Sequence, residues 1–329
     1  MSPSTTISSS ASVFETAGRY TTTLLRVESA AGTACNAYRN NCCSSSVAAV
    51  PALPPPKPLL IATPCEAGVF PLLIFLHGYL LHNSFYSQLL QHVASHGFIV
   101  IAPQLYEVTG ADSTGEIKSA AATTNWLSEG GLNDVLPPNV HPNLSKLGLA
   151  GHSRGGKTAF ALALTKAATT LKFSALIGID PVDGMDKGKQ TPPPVLTYVP
   201  RSFDLDMAVM VIGSGLGEVR RNPLFPPCAP KGVNHSDFFN ECRKPACHFV
   251  VKDYGHLDML DNDTKGIRGK ATYCLCKNGE SREPMRRFVG GIVVAFMKAY
   301  LDGDASELMS IRYGHETTPV ELQTVEFLE

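Results

Sequence analysis

Residues 147–164, "LGLAGHSRGGKTAFALAL", carry an apolar run into a knot of glycines with Ser153 at its centre, and an apolar pattern then resumes. Gly151-His152-Ser153-Arg154-Gly155 has the spacing G-x-S-x-G, set after a strand-like run and before a helix-like one. The glycines tolerate a tight turn, so the serine hydroxyl can project clear of a sheet. The backbone N–H of Arg154 and the start of the following helix would then face a developing oxyanion. The spacing predicts a nucleophilic serine. A glycine-rich helix start with a capping serine is the plainer alternative. A phosphate-binding loop fits worse, because G-x-x-x-x-G-K-[ST] demands a spacing that Gly156-Lys157-Thr158 does not complete.

A serine hydroxyl is a poor nucleophile until a base takes its proton, so a histidine should follow in the chain order Ser, acid, His. His248 lies in a strand-like run, His235 in a Pro- and Asn-rich stretch and His315 in the polar C-terminal segment. His256, in "KDYGHLDML", stands in a turn relaxed by Gly255, between a strand and a helix, and is the expected base. The acid has two candidates. Asp180, in "ALIGIDPVDG", directly follows the first strand after Ser153, and Pro181 ends that strand. Glu218, in "VMVIGSGLGE", follows the next strand, while Asp183 is a near neighbour and Asp204 and Asp206 precede their strand. Asp180 is preferred, its "GIDP" resembling the acid-bearing segment of pancreatic-type lipases, with Glu218 as the alternative. His77-Gly78-Tyr79 resembles the H-G-x segment of esterases, so the second oxyanion donor is expected to be the main-chain N–H of Tyr79. Leu80, Leu81 and Phe85 follow it; they are expected either to touch a large apolar substrate or to pack in the core.

These groups need a rigid frame. Apolar runs at 70–76, 98–102, 147–150, 173–179, 208–213 and 249–251 alternate with helix-like stretches, one with Phe85, Leu89, Leu90 and Val93 on one face and Gly97 as its C-terminal stop. Ser113 and Glu116 have the spacing of a capping box, and a last helix is expected around 285–300. Strands apolar on both faces and separated by helices predict an α/β fold, a mostly parallel central sheet with helices on both faces. "TTTLLRVESA" reads as a first strand, and the Pro- and Ser-rich residues 40–58 as a surface connection. Residues 1–13, rich in Ser and Thr, are expected to be a disordered tail or a targeting segment. Residues 14–303 form a single domain in this reading, and 304–329 a C-terminal tail.

Composition narrows the function. The chain has 329 residues, 44% hydrophobic and 17% charged, with a net charge of −1 and both signs scattered. That argues against nucleic acid or another polyanion as partner. No uninterrupted apolar stretch approaches the roughly 20 residues of a membrane helix. The nine cysteines, an odd number with no secretory signal before them, are expected to be mostly free thiols. Cys274-Leu275-Cys276 lacks a second pair at zinc spacing, so no metal is expected.

"LLIFLHGYLLHNSFYSQLLQHVASHGFIVIAPQLY", "GHSRGG", "KFSALIGIDPVDG", "FPPCAPKGVNHSDFFNEC", "DYGHLDMLD" and "RRFVGGIVVAFMKAYLDG" together resemble the plant chlorophyllase family over most of residues 14–303. The resemblance implies an α/β-hydrolase fold and hydrolysis of the ester joining phytol to chlorophyll, with Ser153, Asp180 and His256 as triad. It implies no cofactor, since the magnesium belongs to the substrate. It also implies a chloroplast location, with the cytosol as the alternative, peripheral association with pigment-bearing membranes and no obligate protein partner. The residues alone imply only an esterase. A general carboxylesterase or lipase shares each catalytic feature, and a noncatalytic ligand binder of the same fold is the alternative from another class.

Overall fold

The computed structural model describes residues 12–29, 52–165 and 168–329. Most of the expected N-terminal tail, and residues 40–51 of the expected surface connection, lie outside them. Among the described residues, nine strands form one sheet: β1 (Thr22–Val27), β2 (Leu59–Pro64), β3 (Gly68–Leu76), β4 (Ile99–Pro103), β5 (Val140–His152), β6 (Ala175–Ile179), β7 (Ala208–Ser214), β8 (Ala246–Val251) and β9 (Leu322–Leu328). Their order is β1-β2-β4-β3-β5-β6-β7-β8-β9. The run from β4 to β8 is parallel, whereas β1, β2 and β9 pair antiparallel at the two edges.

Among the described residues, seven α-helices accompany the sheet: α1 (Ser87–Ser95), α2 (Thr114–Ser128), α3 (Arg154–Thr165), α4 (His235–Glu241), α5 (Gly266–Ala271), α6 (Glu283–Met297) and α7 (Ser306–Arg312). Successive strand residues point to opposite faces, and the core divides accordingly. Leu73, Phe75, Val100, Ile177, Met210 and Phe249 join Leu90 and Val93 of α1 and Phe288 and Ile292 of α6. Leu72, Ile74, Ile101, Leu149, Leu176 and Val211 join Trp126 of α2, Phe160 of α3 and Phe238 of α4. Burying each such large side chain stabilises the fold by about 1.5–3 kcal/mol relative to exposure. Strands with both faces covered read as unbroken apolar runs, which is why the parallel strands are visible in the sequence.

Three expectations are corrected. Residues 304–329 are not a tail: they carry α7 and β9, and β9 adds a ninth strand beside β8 in the register Ala246↔Leu328 to Val251↔Leu322. Its half-exposed edge pattern, "LQTVEFL", has no solid apolar run to betray it. Ser113 precedes α2 but makes no side-chain cap. Its hydroxyl donates to Pro192 O at 2.9 Å, and Glu116 turns instead to Arg154, as a charged partner outweighs a local cap. Of the six described cysteines, where mostly free thiols were expected, three are disulfide-bonded. Cys228 and Cys276, 48 residues apart, form a disulfide, and Cys65 is also disulfide-bonded. Among the described cysteines Cys242, Cys247 and Cys274 are free. Loop contacts between distant segments create the pairing, which spacing alone does not reveal.

Candidate active site

β5 ends at His152, and the chain turns through Ser153 with φ +57° before α3 begins at Arg154. A left-handed backbone at a non-glycine residue costs on the order of 1–3 kcal/mol and marks a constrained turn. Its neighbours must be small. A Cβ on Gly151 would lie 2.2 Å from Gly155 O, and one on Gly155 would lie 2.2 Å from Leu76 O. The turn is held by Ser153 N–H donating to Ile179 O at 3.0 Å and by Ser153 O accepting from Val182 N at 3.2 Å. Arg154 extends its guanidinium away into α2, pairing with Glu116 through Nε–Oε2 at 3.0 Å and Nη2–Oε1 at 2.5 Å. Its backbone N–H, the first of α3, has no residue four earlier in that helix to bond.

Asp180 follows β6 with φ +42°, its N–H donating to Ile212 O at 2.6 Å. The backbone there carries the carboxylate to the C-terminal edge of the sheet. His256 stands in the loop after β8, where Gly255 passes so close to Lys277 O that a Cβ would lie 1.8 Å from it. The three side chains join in line: Ser153 Oγ donates to His256 Nε2 at 2.8 Å, and His256 Nδ1 donates to Asp180 Oδ2 at 2.8 Å. The carboxylate can only accept, which assigns the ring protons. Asp180 is fully buried, and His256 is 4% and Ser153 8% exposed. Burial opposes ionisation of Asp180. The hydrogen bond from His256 Nδ1 and the hydroxyl of Ser214 outweigh it and hold the carboxyl down at about 2. Ser214, at the end of β7, was not visible as a site residue in the sequence; nothing in "VIGSG" distinguishes it.

Glu218 makes a different contact, accepting from Asn234 Nδ2 at 2.8 Å beside the start of α4. Asp183 accepts from Gln190 Nε2 at 2.7 Å and from the N–H groups of Val195 and Leu196. His235 Nδ1 and His248 Nε2 meet each other at 3.0 Å, and His315 is exposed after α7. Of the candidate bases and acids, the structure brings His256 and Asp180 to Ser153.

The loop after β3 packs on the elbow. A Cβ on Gly78 would come within 3.1 Å of both Ser153 Cβ and His152 Nδ1, so a larger residue there would press on the elbow. Gly78 C=O and Tyr79 N–H belong to one peptide plane. That plane is pinned by His77 Nδ1, donating to Gly78 O at 2.9 Å, and by Tyr106 Oη, donating to the same oxygen at 3.1 Å. Burial pushes His77 down to about 4, so it is neutral, and its Nε2 accepts from Leu105 N–H at 3.0 Å. The Tyr79 ring lies under the Arg154 guanidinium, 5.3 Å from its centroid. Leu80, in a left-handed conformation, is exposed, as is Tyr79. Leu81 and Phe85, expected either to touch a large apolar substrate or to pack in the core, are 7% and 5% exposed and belong to the core cluster that includes α1 and α6. Among the described residues no group of three or more His, Cys, Asp or Glu could hold a metal ion.

A mostly parallel sheet that presents a serine elbow, an aspartate and a histidine at the C-terminal ends of its strands defines an α/β-hydrolase of the serine carboxylic-ester type. The sequence model of the Chlorophyllase family matches residues 9–329, and the chain belongs to that family. It is similar to Chlorophyllase-2 of Arabidopsis thaliana, 62% identical over 98% of this chain and 99% of the relative. Chlorophyllase-1 of the same plant is 48% identical over 84% of this chain and 86% of its own length. For Chlorophyllase-1, chloroplastic, of Citrus unshiu the figures are 47%, 84% and 82%.

Proposed function

We propose that the protein hydrolyses the phytyl ester of chlorophyll, releasing chlorophyllide and phytol. The observation that carries this is the unbroken line Ser153–His256–Asp180 in a chain whose family match spans residues 9–329. Ser153 Oγ attacks the ester carbonyl carbon while His256 Nε2 takes its proton. The tetrahedral oxyanion lies between the N–H groups of Tyr79 and Arg154. Collapse breaks the bond to phytol, whose oxygen receives the proton from His256. Water, deprotonated by His256, then attacks the acyl-enzyme, and chlorophyllide leaves as Ser153 regains its proton. Asp180 keeps Nδ1 protonated and stabilises the imidazolium. Each step uses groups of this chain, the substrate and water; the magnesium travels with the substrate.

Incubated with chlorophyll in detergent, the protein should yield a green pigment that stays in the aqueous phase on hexane extraction, because losing phytol exposes a carboxylate. Pigment recovered wholly in hexane, with short esters still cleaved, would indicate a general esterase. Pigment bound with no ester cleaved would indicate a binder.

The substrate reading extends to place and partner. A chloroplast location is supported by the citrus relatives, whose names carry "chloroplastic". Peripheral docking on a pigment-bearing, anionic membrane is supported by two segments, residues 220–228 and residues 265–277 with α5, tied together by Cys228–Cys276. Leu224 is 88% and Ile267 90% exposed, and Phe225 and Leu275 are exposed beside them. Arg220, Arg221, Lys265, Lys270 and Lys277 are exposed in the same two segments. Among the described residues no helix is long and apolar enough to cross a membrane. The double variant Leu224→Asp with Ile267→Asp should lose most sedimentation with vesicles containing anionic lipid and keep wild-type activity on a soluble short ester. Unchanged sedimentation removes these segments as the docking face.

A further inference from the structure

We infer that the Tyr86 hydroxyl and the imidazole of His152 form a positioning link that holds the oxyanion loop and the histidine loop in one geometry across the back of the elbow. The inference rests on the catalytic reading of Ser153 and His256 and assigns work to two residues outside the triad.

Three hydrogen bonds run in series. Gly78 N–H donates to Tyr86 Oη at 3.1 Å, Tyr86 Oη contacts His152 Nδ1 at 2.7 Å, and His152 Nε2 contacts His256 O at 2.8 Å. Chemistry leaves one arrangement of protons. A carbonyl only accepts, so the His152 proton is on Nε2 and donates to His256 O. Tyr86 and His152 are both fully buried, and burial drives His152 down to about 3 and the Tyr86 phenol well up, so both are uncharged. Nδ1 is therefore bare and accepts the Tyr86 proton, while a lone pair on the phenol accepts from Gly78. Each group has one role, and the series runs from one loop to the other.

Its ends lie at the two places where sub-ångström errors matter. Gly78 directly precedes Tyr79, the donor proposed for the oxyanion, and with its own N–H committed to Tyr86 it leaves the Tyr79 N–H for substrate. His256 O is the main chain of the base itself, and the His152 and His256 rings lie 4.7 Å apart between centroids. His152 occupies the elbow between Gly151 and Ser153, so loops after β3 and β8 are both referenced to the nucleophile. Tyr86 ends the 3-10 turn Asn83–Tyr86 that leads into α1, and its ring packs on Phe75 at 4.8 Å. That packing fixes the hydroxyl without help from the link, so removing the oxygen alone should leave the fold intact.

The test uses the full chain and a soluble chromogenic short ester. Tyr86→Phe keeps the ring and removes the link; it should lower kcat about tenfold to a hundredfold with KM within twofold, because displaced groups act mainly in the transition state. Affinity for a trifluoromethyl ketone, which forms an oxyanion on Ser153, should fall by the same factor. A purely structural role would not move kcat and analogue affinity together. His152→Gln retains an amide that can replace Nε2 against His256 O but offers nothing in the Nδ1 place; it should lose a similar factor. In the Tyr86→Phe background it should lose no more than about twofold further, since the shared bond is already gone. Wild-type kcat in Tyr86→Phe, or losses that multiply in the double variant, overturns the link. Should Tyr86→Phe fail to fold, His152→Gln with wild-type kcat and analogue affinity does the same. A Ser153→Ala control separates the two readings: if it cleaves the ester as fast as wild type, the catalytic reading itself has failed.

Discussion

Ser153→Ala is expected to lower kcat for ester hydrolysis by roughly 10⁴- to 10⁶-fold, with the protein still folded and still binding pigment. The variant removes the oxygen that His256 Nε2 contacts at 2.8 Å, and with it the acyl-enzyme route. The oxyanion donors and the binding surface persist, so a residual rate above that of water should remain. Stability should not suffer, because Ser153 Oγ bonds His256 and the turn itself is held by the backbone of Ser153. Ser153→Gly should go further. It relieves the φ of +57° and should raise stability by about 1 kcal/mol while being just as inactive. Circular dichroism and thermal melting report the fold, and a chromogenic ester reports the rate. If Ser153→Ala keeps a tenth of wild-type activity, the nucleophile lies elsewhere.

The acid gives the second large effect. Asp180→Asn preserves shape and removes charge, and should lower kcat by roughly 10³- to 10⁴-fold with little change in KM. An amide beside Nδ1 permits the wrong tautomer, with the proton on Nε2 where it cannot accept from Ser153. It also leaves the imidazolium of the transition state without its counter-charge. Glu218→Gln, whose carboxylate accepts from Asn234 at 2.8 Å, should change the rate less than tenfold, under about 1.4 kcal/mol. The two variants must be measured side by side. A crippled Glu218→Gln with an active Asp180→Asn moves the acid to the later strand, and equal partial losses mean a shared role.

The pH dependence follows from the same contacts. Asp180 has its folded pKa depressed to about 2 from an ordinary value of 3.8. Its contribution to stability is therefore present above about pH 3.8 and is lost as pH falls through about 2. Loss of activity on mild acidification does not come from this carboxylate.

Much of the site could be read from the chain alone, because its signals are local. An apolar run, two glycines around Ser153 and a resumed helical pattern are contiguous in sequence, and sterics over a few residues dictate the elbow they make. The same holds for the parallel strands, whose burial on both faces leaves solid apolar runs, and for His256 in its glycine-relaxed loop. The choice of acid was not local. Asp180 and Glu218 both follow strands that end at the same edge, and the φ of +42° that aims Asp180, the Ser214 hydroxyl that holds it and the Asn234 amide that engages Glu218 come from distant segments. Glu116 has capping-box spacing, yet a buried guanidinium 38 residues away outcompetes a cap worth about 1 kcal/mol. Edge strand β9 shows only alternation, and becomes a strand because β8 offers it an unpaired ladder. Leu81 and Phe85 look the same in sequence as Leu80, and the packing of α1 against α6 buries the first two and leaves Leu80 at the surface. Residue type and spacing specify what one segment can do. Which groups meet, and with what charge, depends on contacts between segments far apart in the chain, as with Cys228 and Cys276 or Tyr86 and His152, and those exist only once the sheet has brought the loops together.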